Sequence, residues 1–277
     1  MRDVLHRMAA FLSGRTGGIR VLVRADDMGV ALSVNEACIR TCTEGIVRSV
    51  EVLVPGPWFL DAVQRLQAHP EIDVGVHLCL TSEWDRVKWR PLTWAPSLVD
   101  ADGYFYRATH QREDFPPGTG LHDANPKSEE IERELRAQIA LLRRYIPGVS
   151  HVSPHMGAAT ATPTALLITQ QLCAEYRLRL EAPGLIEVVD WRRGEKTPEQ
   201  AEVDLAAAIA ALEPGAHLLI EHPGLDTDEM RAMSHAGRET EFLTRASATH
   251  ALTSVTVRQA VRNRNIQLIS HRDLPLD

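Results

Sequence analysis

Several things are scarce in this chain of 277 residues, and each scarcity closes off a class of protein. It has four cysteines, Cys38, Cys42, Cys79 and Cys173, with no Cys-x-x-Cys pair, so neither a disulfide scaffold nor a cysteine-rich zinc module is encoded. Cys38 and Cys42 lie one helical turn apart but inside an ordinary helix pattern, and all four read as buried free thiols. No run of Lys and Arg is present and the formal net charge is -7. That argues against nucleic acid as a partner, because phosphate binding needs a concentrated basic face. No apolar run approaches the roughly 20 residues that span a bilayer. The stretch from Met1 to Gly18 is too polar, and its Met-Ala-Ala-Phe-Leu segment too brief, for a secretory signal. A cytoplasmic protein without membrane contact is therefore expected. The glycine patterns that cradle nucleotide phosphates are missing, as are internal repeats and low-complexity tracts.

What remains is a chain of 44% apolar residues, enough for one large core. Residues 1–18 read as an N-terminal extension and 19–277 as a single catalytic domain of barrel size. Runs rich in Val, Ile and Leu alternate with amphipathic stretches, the pattern of βα units around a parallel sheet. The predicted strands are 19–25, 49–54, 72–80, 149–153, 178–182, 217–221 and 266–270. The predicted helices are 33–43, 57–68, 128–145, 162–176, 197–212 and 254–262. Seven parallel strands predict an α/β protein, an irregular or incomplete (β/α) TIM-like barrel with a long loop after the third strand. A flat doubly wound sheet obeys the same pattern.

Chemistry-bearing residues gather at predicted strand ends, where such folds build active sites. Asp26 and Asp27 close the first strand; pleat parity makes them diverge, one inward and one onto the loop. Capping of the following helix is the ordinary explanation for such residues, but the helix begins several residues later. In the third strand Val74, Val76 and Leu78 share one face and Gly75 and His77 the other, which points His77 into the barrel. The same parity aligns His151, Ser153 and His155. Each histidine alone could be a core residue bonded to a carbonyl, yet one carboxylate and two imidazoles at successive strand ends form a metal site with room for water. The other carboxylate can take a proton from that water. His222, before Pro223 and Gly224, falls at the rim of the same cavity and is suited to protonate a leaving amine, with Glu221 as the alternative donor. His6, His69, His110, His122, His235, His250 and His271 lack such context and read as surface residues. Arg24 is the basic residue expected near the site.

Aromatic residues make up only 5% of the chain, but seven of the 14 fall between Trp84 and Phe115. Trp84, Trp89 and Trp94 lead this stretch and are candidate substrate contacts, since aromatic faces stack on the C–H faces of sugar rings. A hydrophobic cluster pinning the loop to the barrel is the competing explanation.

At these residues the chain resembles the YdjC-like carbohydrate deacetylase family, whose best-known activity is chitooligosaccharide deacetylation. The resemblance runs through Arg24 to Gly29, Ser33 to Asn35, Gly45 to Ser49, Val74 to Leu78, Glu134 to Ile139, Ser150 to Gly157, His222 to Gly224 and Leu268 to Leu274. It implies a barrel-like α/β fold, a divalent metal ion (Mg, Zn, Mn or Co) and hydrolysis of an N-acetyl group on a sugar. Position by position, it implies Asp27, His77 and His155 as metal ligands, Asp26 as general base and His222 as a rim histidine. One departure matters. Where many members read Asp-Ser-His before another His, this chain has Ser153-Pro154-His155 followed by Met156-Gly157. A carboxylate and a histidine behind the ligands are missing. The expected partner is a small N-acetylated carbohydrate. A hydrolase of another amide or a phosphoester, and a barrel that binds sugar or metal without turnover, are the alternatives. Barrel enzymes of this size often dimerise, which leaves a homodimer open.

Overall fold

The computed structural model describes residues 18–113, 115–189, 191, 196–235 and 237–274. The expected N-terminal extension, with His6, lies outside the described residues apart from Gly18. Eight strands form one sheet: β1 (Ile19–Met28), β2 (Ser49–Val52), β3 (Asp73–Leu78), β4 (His151–Pro154), β5 (Arg179–Leu180), β6 (Ile186–Glu187), β7 (Gly215–Glu221) and β8 (Gln267–Ile269). Every pairing between them is parallel, in the order β5-β4-β3-β2-β1-β7-β6. β7 runs along one side of β1, and β8 and β2 share the other, β8 at Arg20–Leu22 and β2 from Arg24 onward. The edge strands β5 and β6 follow one another in the chain, and no described pairing joins them, so the sheet curls into a barrel that does not close. All seven expected strands are present. β6 is an addition of two exposed residues, too short to announce itself.

Among the described residues eight α-helices accompany the strands: α1 (Leu32–Thr43), α2 (Phe59–Ala68), α3 (Ser128–Tyr145), α4 (Pro163–Tyr176), α5 (Pro198–Ala210), α6 (Asp228–Ala232), α7 (Glu241–Thr253) and α8 (Val255–Asn263). α5 packs on α7 and α8, and α3 on α4 and β3. Neither α6 nor α7 was expected from the sequence. The buried face of α7 mixes Arg245, Ser247 and Thr249 with Ala248, Ala251 and Leu252, so its apolar stripe is weak. None of the described helices is long and apolar enough to cross a membrane.

The branched residues of the strands pack outward under the helices in one continuous core. Long side chains of α3 reach over to hold the connection after β3. Glu134 accepts from the backbone N–H groups of Leu92 and Thr93 at 3.0 and 2.9 Å, and Glu130 from that of Ser97 at 2.7 Å. Phe105, Leu98 and Leu121 of this connection are fully buried within the main core, so its aromatic residues serve largely as anchors. The four thiols are free; Cys38, Cys79 and Cys173 are buried and Cys42 is half-buried.

Candidate active site

A cavity of about 530 Å³ opens at the carboxyl ends of the strands. Asp26 and Asp27 from β1, His77 from β3, His155 just after β4, and Glu221 and His222 at the end of β7 all line it. The two aspartates do not diverge as pleat parity requires. The register of β1 against β2 slips between Ala25 and Met28, and Asp27 takes a left-handed φ of 70°, which turns its carboxyl back toward the cavity. Gly29 follows with φ 107°, where a Cβ would press on the carbonyl oxygen of Leu53, so the chain leaves β1 through a turn that only glycine fits.

Asp27 Oδ1 lies 3.2 Å from His155 Nδ1 and 3.5 Å from His77 Nε2. Despite its burial this oxygen accepts no hydrogen bond. Three donor atoms facing one point, all within 4.8 Å of one another, suit a cation about 2.0–2.1 Å from each. The donor set, one carboxylate and two imidazoles, fits a divalent ion and leaves positions open for water and substrate. Burial opposes ionisation of Asp27, but Arg245 and the imidazoles outweigh it and hold its carboxyl well below the usual range. Arg245 Nη2 donates to Asp27 Oδ2 at 2.7 Å, so one oxygen is taken by the guanidinium and the other is left for the cation. Burial also opposes a charge on His155, yet Glu83 and Asp27 raise its pKa well above the usual imidazole value. A cation binding here therefore competes with a proton.

Each imidazole is oriented from behind. His155 Nε2 faces Glu83 Oε2 at 3.1 Å, and His77 Nδ1 faces Ser153 Oγ at 2.8 Å. The Ser153 hydroxyl donates to Glu51 Oε2 at 2.6 Å. Asp26 is straddled by Arg24, whose Nη2 donates to Oδ2 at 3.1 Å while Nε lies 2.9 Å from Oδ1. Arg24 and Asp26 sit two apart on β1 and so share its inner face. Burial lowers the pKa of His222 and keeps its ring neutral, although Asp27 and Asp26 pull the other way.

Of the three tryptophans expected at the substrate, Trp84 lines the cavity beneath the guanidinium of Arg245, 5.6 Å from its ring centre. Trp89 is buried, donates Nε1–H to the carbonyl of Thr81 at 2.8 Å, and backs the ring of His155. Trp94 is 83% exposed and lies outside the cavity. Arg24 lies behind Asp26 rather than on the cavity wall.

Three expectations need correction. His235 is buried and lines the cavity beside Trp84. His271 is buried inside the barrel and stacked on His151 with ring centres 3.5 Å apart. Both come from segments whose local pattern looked like surface. Nor is Arg24 the sole basic residue nearby, because Arg112, Lys196, Arg238 and Arg245 all line the cavity. Arg245 belongs to the unforeseen α7, and nothing in its neighbourhood of sequence marks it. Glu83 could have been noticed from the broken pattern after β3, where loops carry binding residues.

Comparison with known proteins agrees with this architecture. A "Carbohydrate deacetylase" of Brevibacillus brevis is 27% identical over 272 residues, covering 92% of this chain and 100% of that protein. One of the same description from Thermus thermophilus is 29% identical over 255 residues, covering 83% of this chain and 85% of that protein. Among solved structures, an Enterococcus faecalis protein proposed to act in cellobiose-phosphate cleavage shares the fold, with a TM-score of 0.72 at 22% identity over 93% of this chain and 99% of that one. The sequence profile described as YdjC-like protein matches residues 20–263, nearly the whole barrel, and the chain belongs to that family.

Proposed function

We propose that the protein is a metal-dependent hydrolase that removes N-acetyl groups from an N-acetylated sugar or oligosaccharide. The observation that carries this reading is the meeting of Asp27 Oδ1, His77 Nε2 and His155 Nδ1 at one point of the cavity, with the Asp26 carboxyl beside them. The relatives described as carbohydrate deacetylases support the amide bond and the sugar. Asp27, His77 and His155 would hold the divalent ion, which supplies Lewis acidity to the amide carbonyl and to water.

The chain's own residues do the rest. Asp26, steadied by Arg24, takes the proton of the attacking water as the new C–O bond forms. The carbonyl carbon becomes tetrahedral, and negative charge gathers on its oxygen. When the C–N bond breaks, the departing nitrogen needs a proton. Because burial keeps His222 neutral at neutral pH, that proton is the one collected by Asp26, with His222 as the adjacent relay. This is a narrower role for His222 than that of a standing charged acid. Trp84 and Phe115 wall the cavity where a sugar ring would stack. Acetate and a free amino sugar result.

Basic residues on the cavity wall are what a phosphoester hydrolase would need. Here they are already engaged: Arg245 with Asp27, Lys196 with Asp204, Arg238 with Glu241, and Arg112 over the ring of Phe115. The amide reading is therefore preferred. It is tested by acetate release from N-acetylated oligosaccharides, with bound metal assayed alongside. Asp26→Asn is expected to lower kcat by about 100- to 10,000-fold while keeping its metal, and Asp27→Asn to lose the metal as well. Unchanged turnover in Asp26→Asn, or hydrolysis of nitrophenyl phosphates without acetate release, would overturn the assignment.

A further inference from the structure

Beneath the cavity a line of polar side chains runs down the inside of the barrel. His77 Nδ1 meets Ser153 Oγ, which meets Glu51 Oε2. The other oxygen of Glu51 is hydrogen-bonded to His151 Nε2, and His151 Nδ1 lies 2.7 Å from Ser150 Oγ. The Ser150 hydroxyl donates to Asp73 at 2.7 Å, near the opposite end of the barrel. Glu51, Ser153 and His151 have no exposure at all. Gly75 on β3 makes the room, because any Cβ there would overlap both His151 Nε2 and Glu51 Oε2.

Glu51, His151 and His271 also form a compact group of potential ligand atoms. The geometry argues against a second cation among them. The two imidazoles are stacked 3.5 Å apart and only 13° from parallel, so an ion in the plane of one ring would lie far out of the plane of the other. Glu51 is moreover already bonded to Ser153 and His151. Glu51 and His151 belong to the hydrogen-bonded line, and His271 only stacks on it.

Its direction can be worked out from proton counting. A serine hydroxyl has one proton, and that of Ser153 points to Glu51. Ser153 Oγ can then only accept from His77, which places the imidazole proton on Nδ1 and the lone pair on Nε2, the atom facing Asp27 Oδ1. We infer that Glu51 is a positioning residue for the metal site, acting through the Ser153 hydroxyl to fix the tautomer and ring orientation of His77. The carboxylate behind Ser153 is supplied from β2 across the barrel. Glu51 occupies the inner face of β2, in register with Gly75 on β3, and Ser153 is in register with His77.

The inference rests on the reading of Asp27, His77 and His155 as metal ligands, and two measurements separate the two claims. The first uses ring nitrogen NMR shifts of His77 in the metal-free full-length protein at mildly alkaline pH. Wild type is expected to show the Nδ1–H form. In Glu51→Gln the new amide can donate to Ser153, which frees the hydroxyl proton for His77 and populates the Nε2–H form. Ser153→Ala, which leaves Glu51 with His151, is expected to lose the Nδ1–H preference too. The second is calorimetric titration with Zn2+, where both variants should bind about tenfold to a hundredfold more weakly than wild type. Adding Ser153→Asp to Glu51→Gln returns a carboxylate to His77 and should restore both readouts. A wild-type ring protonated on Nε2, or a Glu51→Gln protein with unaltered tautomer, overturns the inference. If the tautomer follows Glu51 but wild type binds no Zn2+, the positioning stands and the metal-hydrolase reading falls.

Discussion

On the proposed reading Asp27 does two things at once: it accepts a hydrogen bond from Arg245 and leaves an oxygen for a cation. With both partners in place, two positive charges flank a carboxylate that has only 3% of its side chain exposed. Removing the guanidinium leaves that charge buried without its cation partner, a loss worth about 3–5 kcal/mol in comparable pairs. Arg245→Ala is therefore expected to lower the stability of the metal-free protein by about 3 kcal/mol in urea unfolding. Saturating Zn2+ should then stabilise the variant more than it stabilises wild type, because the ion supplies the missing charge. Equal gains in the two proteins would mean that Arg245 and the ion do not share Asp27. At this scale the sequence was generous with residues at strand ends. Asp26, Asp27, His77, His155 and His222 could all be picked out because a polar residue closing an apolar run is conspicuous. Arg245 and Glu83 could not, since one sits on a helix with a mixed buried face and the other in a loop without periodicity.

Among the elements, β1 and β3 show how local geometry makes the site. Sequence parity set His77 inward correctly, because β3 is a regular strand. It separated Asp26 from Asp27 because parity knows nothing of the slip in β1 that brings both carboxyls to one cavity. β3 carries its own constraint at Gly75, whose missing side chain is the space occupied by the Glu51–His151 pair. Gly75→Ala should cost about 1–3 kcal/mol or more, as overpacking of a closed interior does, and should disturb His77 through Ser153. Gly148→Ala is the control, since a Cβ there meets nothing closer than Arg272 Nη2 at 3.8 Å. Thermal unfolding of the two variants checks this, and equal melting temperatures would contradict it. Trp94 teaches a related lesson. The aromatic stretch after β3 was readable as a unit, but which of its rings faces the cavity depends on how Glu130 and Glu134 of α3 hold the backbone.

The molecule as a whole buries charges of both signs, and its stability should answer to pH on both flanks. Burial resists ionisation of Asp27 and Glu51, yet Arg245 beside the first and His151 beside the second hold them well below their ordinary 3.8 and 4.5. A carboxyl depressed in this way adds stability that is complete above its unfolded pKa and is lost as pH falls toward its folded value. His271, kept neutral by burial, has the same sign from 6.5 downward. The raised His155 has the opposite sign, but its contribution is already complete below 6.5 and does not alter the acid limb. On the alkaline side burial pushes the thiols of Cys79 and Cys173 up to about 11 and that of Cys42 to about 12. Stability from these groups is full below the ordinary thiol value of 9.0 and is lost above it as the unfolded chain ionises. Urea midpoints should therefore decline below about pH 6.5, more steeply below about 4.5, and on the alkaline side first as the contribution of the raised His155 is lost and again above about 9 as the thiols ionise in the unfolded chain. A midpoint at pH 4 equal to that at neutrality would refute the acid limb. The amino-acid sequence by itself determined the alternation of strands and helices, the inward face of each regular strand, and the set of acid and imidazole groups at the strand ends. All of these are written in apolar spacing within single elements. Only the tertiary structure decided that Asp26 and Asp27 converge, that Arg245 and Glu83 join them, that Glu51 stands behind His77, and that Trp94 faces away. Those depend on sheet curvature, a bulge and packing between segments up to 218 residues apart, which no local period records.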